Sequence, residues 1–197
     1  MRNYLLPLFC FLMLSFHSCS DDLLLESQIA NAHNNEISNR KPSEDDNYLY
    51  KKKFAIALHK AMKENEKLRE FLKVESQKQF NKDYDVLYGY VRDKLVGDVT
   101  FRETLLPYFE NEEELINIEN TIETLTIFIP SLPNNSFSAE TWDTANDVPL
   151  VAIRLLNNEK TPLISSDGES YLLDHDVIPG FPVVVIKENE RIIVPSF

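Results

Sequence analysis

Glycine is scarce in this 197-residue chain: there are 4, at positions 89, 97, 168 and 180, and no two lie close together. Phosphate-cradling loops of the GxGxxG or GxxxxGK[ST] kind need several in a short span, so such nucleotide-binding loops are excluded. Cysteine and histidine are also few, at 2 and 4, and their dispersal excludes Cys/His zinc modules. Positive charge is in deficit. Lys and Arg number 20 against 32 Asp and Glu, a formal net charge of −12, which excludes a generally basic nucleic-acid binder. No apolar run reaches the roughly 20 residues that a helix needs to cross a bilayer. No HExxH, GxSxG or SxxK pattern occurs. With these absences the sequence offers no catalytic, cofactor-binding or metal-ligating set, and no cofactor is expected.

What is present begins at the amino terminus. Met1-Arg2-Asn3 precedes an almost wholly apolar run from Tyr4 to Phe16, followed by His17 and Ser18. One positive charge, an apolar stretch too short to span a membrane and a small residue before a polar break make up a secretory signal peptide, residues 1–18. Cys10 lies inside that run and would leave with it, so the exported chain keeps Cys19 alone. A single thiol in an exported chain rules out a disulfide within a monomer and leaves that sulfur to be explained.

The residues around it, Ser18-Cys19-Ser20-Asp21-Asp22, resemble the signal of bacterial outer-membrane and surface lipoproteins. In that family the cysteine is diacylated through sulfur and becomes the first residue of the mature chain. The resemblance implies lipidation at Cys19, and it makes Asp21 and Asp22 an acidic export tag directing the anchor to the outer face of the cell. It also implies a protein attached to the bacterial outer membrane by its lipid and exposed at the cell surface. Two acyl chains hold a protein stably where one holds it marginally. Asp143-Thr144-Ala145 resembles the short acceptor of a bacterial O-glycosylation system for exported proteins, which makes Thr144 a candidate acceptor. The stretch from Asp83 to Val185, with Asn189-Glu190-Arg191, is similar to the front part of longer surface lipoproteins of uncharacterised activity, and brings no residue roles with it.

After Cys19 the composition is rich in Ser, Asn, Asp and Glu, with Leu23-Leu24-Leu25 as an apolar island. Residues 19–47 are expected to form the acylated cysteine and a disordered tether, or a short amphipathic helix around Leu23–Ala30. From Tyr48 the pattern turns helical. Phe54, Leu58, Ala61 and Met62 recur at helical spacing, and Asn65 is placed to cap a second helix with Leu68, Leu72 and Val74 inward. A third helix is expected from Asp83 or Asp85 through Leu95, stopped by Gly97. Thr100-Phe101-Arg102-Glu103 spells a capping box, and Glu112-Glu113-Glu114 suits the positive end of one more helix.

From Leu125 the signals are those of strands: Leu125–Ile129, Leu150–Leu155, Leu163-Ile164 with Tyr171-Leu172 about a turn at Asp167-Gly168, and Val183–Ile186 with Arg191–Val194 about Lys187–Glu190. The expectation is an α+β fold, N-terminal helices over residues 48–124 followed by a small antiparallel sheet over 125–197 that ends in a β-hairpin, packed as one domain. Charge divides nearby: residues 48–82 carry a net +6 and residues 83–197 a net −14. Three readings are open. The helical part docks on the acidic part, the basic segment with Lys51-Lys52-Lys53 meets an anionic partner, or the lysines form a solvated face with Glu at four-residue spacing.

Chemistry-bearing clusters are thin. His33 falls in the tether and His59 in a helix beside Leu58. Asp174-His175-Asp176 alternates its side chains in an extended chain, so a solvated loop is expected and no metal site. Trp142, the only Trp, could stack on a sugar if exposed, but with Phe137 nearby it is expected to plug the core under a long loop. The reading is a non-catalytic binding or assembly protein, with an envelope protein or a glycan as partner and no nucleic acid. The alternatives are an envelope hydrolase acting on glycan or peptide, and a pro-domain or inhibitor-like module.

Overall fold

From Asn47 to Lys63 the chain has no glycine, no proline and no carboxylate, and its apolar residues recur on one side. Such a segment is a strong helix former. In the computed structural model, which describes residues 44–78, 84–154, 160–164, 170–174 and 179–189, it forms α1, Glu44–Glu64. Phe54, Ala55, Ala57, Leu58, Ala61 and Met62 are fully buried along it. The helix starts inside the segment expected to be tether. Asn47 sits on it and reaches the sheet, its Nδ2 donating to Glu188 at 3.2 Å. The leader, Cys19, Asp21, Asp22 and the rest of the expected tether lie outside the described residues.

Asn65 ends α1 and caps α2, Glu66–Gln77, its side chain accepting from the Leu68 amide at 3.2 Å. Leu68 and Leu72 point inward as expected, but Val74 is 46% exposed. At 100° per residue it lies about 200° from Leu72, on the far side of the helix. The third expected helix is replaced by four short pieces: β1, Asp85–Leu87; α3, Tyr88–Val91; and a hairpin of β2, Leu95–Val96, with β3, Val99–Thr100. Val86 belongs to a sheet and Tyr88 to the core, so tertiary pairing overrides the helical spacing. Gly97 therefore opens the hairpin turn, at φ +69°, instead of stopping a helix.

The capping box at Thr100 forms in full and starts α4, Phe101–Leu105. Pro107 passes it into a 3₁₀ turn, Leu106–Tyr108. Asn111 caps α5, Glu112–Thr121, whose first turn carries the three expected glutamates. The remaining strands are β4, Leu125–Phe128; β5, Leu150–Ile153; β6, Lys160–Ile164; β7, Ser170–Asp174; and β8, Val183–Glu188.

The class is α+β, with the two long helices ahead of the sheets. The main sheet has the order β1-β4-β8-β5-β6-β7. It is mixed, where an antiparallel one was expected: β5 and β8 run parallel and every other pair antiparallel. The two strands expected about Asp167-Gly168, β6 and β7, do pair antiparallel, with Leu163 opposite Tyr171. The terminal hairpin was expected to take β8 as its first arm. Val185 and Ile186 are already paired on both sides, to Phe128 and Ile127 of β4 and to Ala152 and Ile153 of β5. The strand also runs on through Lys187 and Glu188, which were expected to turn. Residues 191–194 lie outside the described residues.

One sheet face, with Val86, Leu125, Ile127, Val151, Ile153, Ile164, Val184 and Ile186, shares the main core with the buried side chains of α1, α2, α4 and α5. Phe54, Tyr88 and Phe101 stack edge-to-face within that core at 5.0 and 5.5 Å. Among the described residues no helix is long and apolar enough to cross a membrane.

Candidate functional site

Leu125–Ile129 is closed by Pro130, and the next strand begins only at Leu150, so the connection is long enough to need its own packing. Residues 130–149 form a strap laid across α1 and α2. Its apolar residues do the anchoring: Phe137, Ala139 and Trp142 are at most 1% exposed, and the two aromatic rings pack at 5.7 Å. Trp142 donates from Nε1 to the Asp147 carbonyl at 3.1 Å. The expectation of a core plug holds, and Trp142 offers no exposed ring to a sugar. Asn134 and Asn135 take left-handed φ values of 58° and 55° in an exposed turn, where asparagine pays less than most residues.

The strap's main chain is bound by side chains of the two helices. Gln77 Nε2 donates to the Ala139 carbonyl at 2.7 Å, and Lys73 Nζ to that of Trp142 at 2.6 Å. Arg69 Nε donates to that of Thr144 at 2.6 Å, and its Nη2 to that of Ala145 at 3.5 Å. Residues 69, 73 and 77 stand one turn apart, so three long donors form a ladder on one stripe of α2. The Arg69 side chain, only 5% exposed, also donates from Nη1 to the Met62 carbonyl in the last turn of α1. Its charge therefore meets the negative end of a helix and three carbonyls, and one guanidinium joins both helices to the strap. Tyr84 holds the other side, its hydroxyl donating to Glu140 at 2.8 Å.

His59 closes the strap's end. It is 3% exposed, and its Nδ1 meets the Pro149 carbonyl at 3.1 Å, so that nitrogen carries the proton. Its pKa lies below the ordinary 6.5: burial is the main cause, the Pro149 bond opposes it, and Lys63 one turn along adds to it. The unfolded chain then binds a proton more readily than the folded one. This contribution to stability is present above pH ~6.5 and is lost as the pH falls from there toward the folded value. Denaturant midpoints measured across that interval should fall more steeply for the native chain than for His59→Gln; equal slopes would refute it.

The candidate acceptor triplet Asp143-Thr144-Ala145 is the turn that the ladder presents. The Asp143 carboxylate accepts from the Asn146 side chain at 2.8 Å and from the Ala145 amide at 3.2 Å, and both bonds lower its pKa, as does the nearby Lys73. Thr144 is half-buried, its carbonyl held by Arg69, while among the described residues its hydroxyl has no hydrogen-bond partner. The turn is thus rigid at its backbone and open at the hydroxyl.

Buried charge elsewhere in the domain is paired. Glu119 accepts from Tyr88 at 2.9 Å and from Arg102 at 3.1 Å, with Arg92 at 3.6 Å. Burial and then Glu119 push the Tyr88 phenol above its usual range. Burial raises the pKa of Glu75, but Lys78 and Lys94, at 2.6 and 2.8 Å, bring it below the usual range. Lys51 is 3% exposed and pairs with Glu188 at 2.6 Å; Lys53 pairs with Glu114 at 2.5 Å, and Lys187 with Asp85 at 2.8 Å while lying over the Phe128 ring. The basic helical part therefore does dock on the acidic part, through two lysines of α1. Among the described residues no group of three or more His, Cys, Asp or Glu is placed to hold a metal ion. His33, His175 and Asp176 lie outside them.

Comparison with protein-family models, with curated proteins and with solved structures gave no match. What there is to reason from is the chain itself.

The donor ladder was not foreseen from the sequence. Its signal is Arg69, Lys73 and Gln77 at four-residue spacing, flanking the inward stripe of Leu68 and Leu72. The acceptors are main-chain carbonyls more than sixty residues away, and carbonyls have no residue type to read.

Proposed function

We propose that the chain is a lipid-anchored protein of the bacterial outer membrane, facing outward, whose α+β domain serves binding or assembly at the envelope. One observation carries the reading: Ser18-Cys19-Ser20-Asp21-Asp22 directly after the apolar run Tyr4–Phe16. The cysteine stands where a leader would be cleaved, and each buried CH₂ of an acyl chain contributes about 0.8 kcal/mol to membrane attachment. The domain is read as a binding or assembly module. Its buried carboxylates Glu75 and Glu119 are each held by cations, and His59 is held by a carbonyl, so these groups work in holding the fold. Thr144 belongs to the same reading as a glycan acceptor, on a turn whose hydroxyl is open.

Metabolic labelling in a lipoprotein-processing bacterium is the test. Labelled palmitate should enter the wild type and not Cys19→Ala; equal entry into both would overturn lipidation at this residue. On intact cells, added protease should cleave the chain while sparing a periplasmic control. Intact-mass measurement on the same material should show Thr144→Ala lighter than the wild type by one glycan.

A further inference from the structure

The lysines of α1 fall into two sets. Lys51 and Lys53 face Glu188 and Glu114 across tertiary contacts. Lys52, Lys60 and Lys63 make no ion pair among the described residues, even though Lys60 and Glu64 stand four apart on the same helix; Glu64 instead accepts from Tyr108 at 2.7 Å.

The helix geometry places the unpaired set together. At 100° per residue, Leu49, Lys52, Ile56, Lys60 and Lys63 fall within an arc of about 80° on the side away from the buried stripe, with Lys53 at its margin. Lys63 is exposed, Lys52 and Lys60 are half-buried, and Ile56 packs partly on the core. No carboxylate occurs in the helix from Asn47 to Lys63. Leu49 lies in this arc and is 52% exposed. The result is a straight strip of cations with an apolar side chain at one end, on a molecule whose residues 83–197 carry −14. Lys60 and Lys63 stand one turn apart, Lys63 in the last turn where the helix end favours a cation, and Lys52 lies two turns before Lys60.

We propose that this strip is a docking surface for the phosphate head groups of an anionic phospholipid bilayer. Three features favour a lipid surface over a soluble polyanion. The cations lie along a line on one helix, as a plane can meet them. An exposed leucine stands at one end of the line, as apolar residues do in helices that lie in a membrane interface. The strip is on the first described helix after Cys19 in the sequence, so the proposal rests on the lipid-anchor reading for its place in the cell. The rest of the domain is acidic and repelled by such a surface, so docking through α1 would fix which side of the domain faces away from it.

The chain from Ser20 onward, which has neither the apolar leader nor an acylated cysteine, tests the strip apart from the anchor. It should co-sediment with vesicles of phosphatidylcholine and phosphatidylglycerol and not with phosphatidylcholine alone. Binding should fall at least tenfold in Lys52→Glu/Lys60→Glu/Lys63→Glu, and should disappear when salt shortens the Debye length from about 30 Å to about 3 Å. Lys52→Gln/Lys60→Gln/Lys63→Gln, with its thermal melt compared to the parent, guards against loss of fold and should also bind more weakly. Equal binding by parent and variants, no vesicle binding by the parent, or capture by a soluble acidic polysaccharide in place of vesicles would each overturn the proposal. Palmitate labelling is read on a different residue, so either result can fail without the other.

Discussion

Trp142→Ala is expected to lower the unfolding free energy by about 3–5 kcal/mol, the range for truncating a large buried aromatic. The indole is 1% exposed and packs on Phe137, so its removal opens a cavity between the strap and the helices that neighbours fill only in part. It also orphans the Asp147 carbonyl, which now accepts from Nε1. Against a typical domain stability of 5–15 kcal/mol this is a large share. The check is chemical denaturation of Trp142→Ala beside Trp142→Phe, which keeps most of the volume and should lose clearly less. A loss under about 1 kcal/mol for the alanine variant would mean that the ring is not core.

Arg69→Met should cost about 3 kcal/mol by a different route. Methionine keeps much of the apolar stem, so packing changes little, while the carbonyls of Met62, Thr144 and Ala145 lose their donor. The effect should be local first. Amide hydrogen exchange should quicken in residues 139–149 before it does in the sheet, because the ladder on α2 loses its most buried anchor. Arg69→Lys should recover only part of the loss, since an ammonium has no planar fork with which to reach three carbonyls on two elements. Unchanged exchange in the strap would show that Phe137 and Trp142 hold it without help.

These two variants bear on different kinds of information in the chain. Local signals proved readable where a residue acts on its own neighbours. Asn65, the Thr100–Glu103 box and the glutamates opening α5 each satisfy backbone amides within a few positions, so their spacing suffices. The plug role of Trp142 was legible for a similar reason, since a lone aromatic pair in a long connection has nowhere else to go. Where a partner is distant the pattern misled. Val86 and Leu95 both fall inside the expected third helix, yet Val86 pairs with Ile127 and Leu95 with Thr100 in two sheets. Short segments follow such partners over their own propensity. The single parallel pair was invisible for the same reason: nothing in Leu150–Ile153 or Val183–Ile186 records which way its neighbour runs. The exposed strip on α1 lay between these cases. Its lysines were evident, but which of them the fold neutralises depended on Glu114 and Glu188.

The place of β8 in the sheet has a consequence for how the chain is made. It is the last described strand in sequence, yet it lies between β4 and β5 and, among the described residues, is the only strand bonding the two halves of the sheet. A chain emerging amino terminus first has both halves available before their common seam exists, and each then presents a bare hydrogen-bonding edge. The export proposed above suits such an order of assembly when the chain crosses unfolded, because the full sheet cannot close until Val183–Glu188 has arrived to join it.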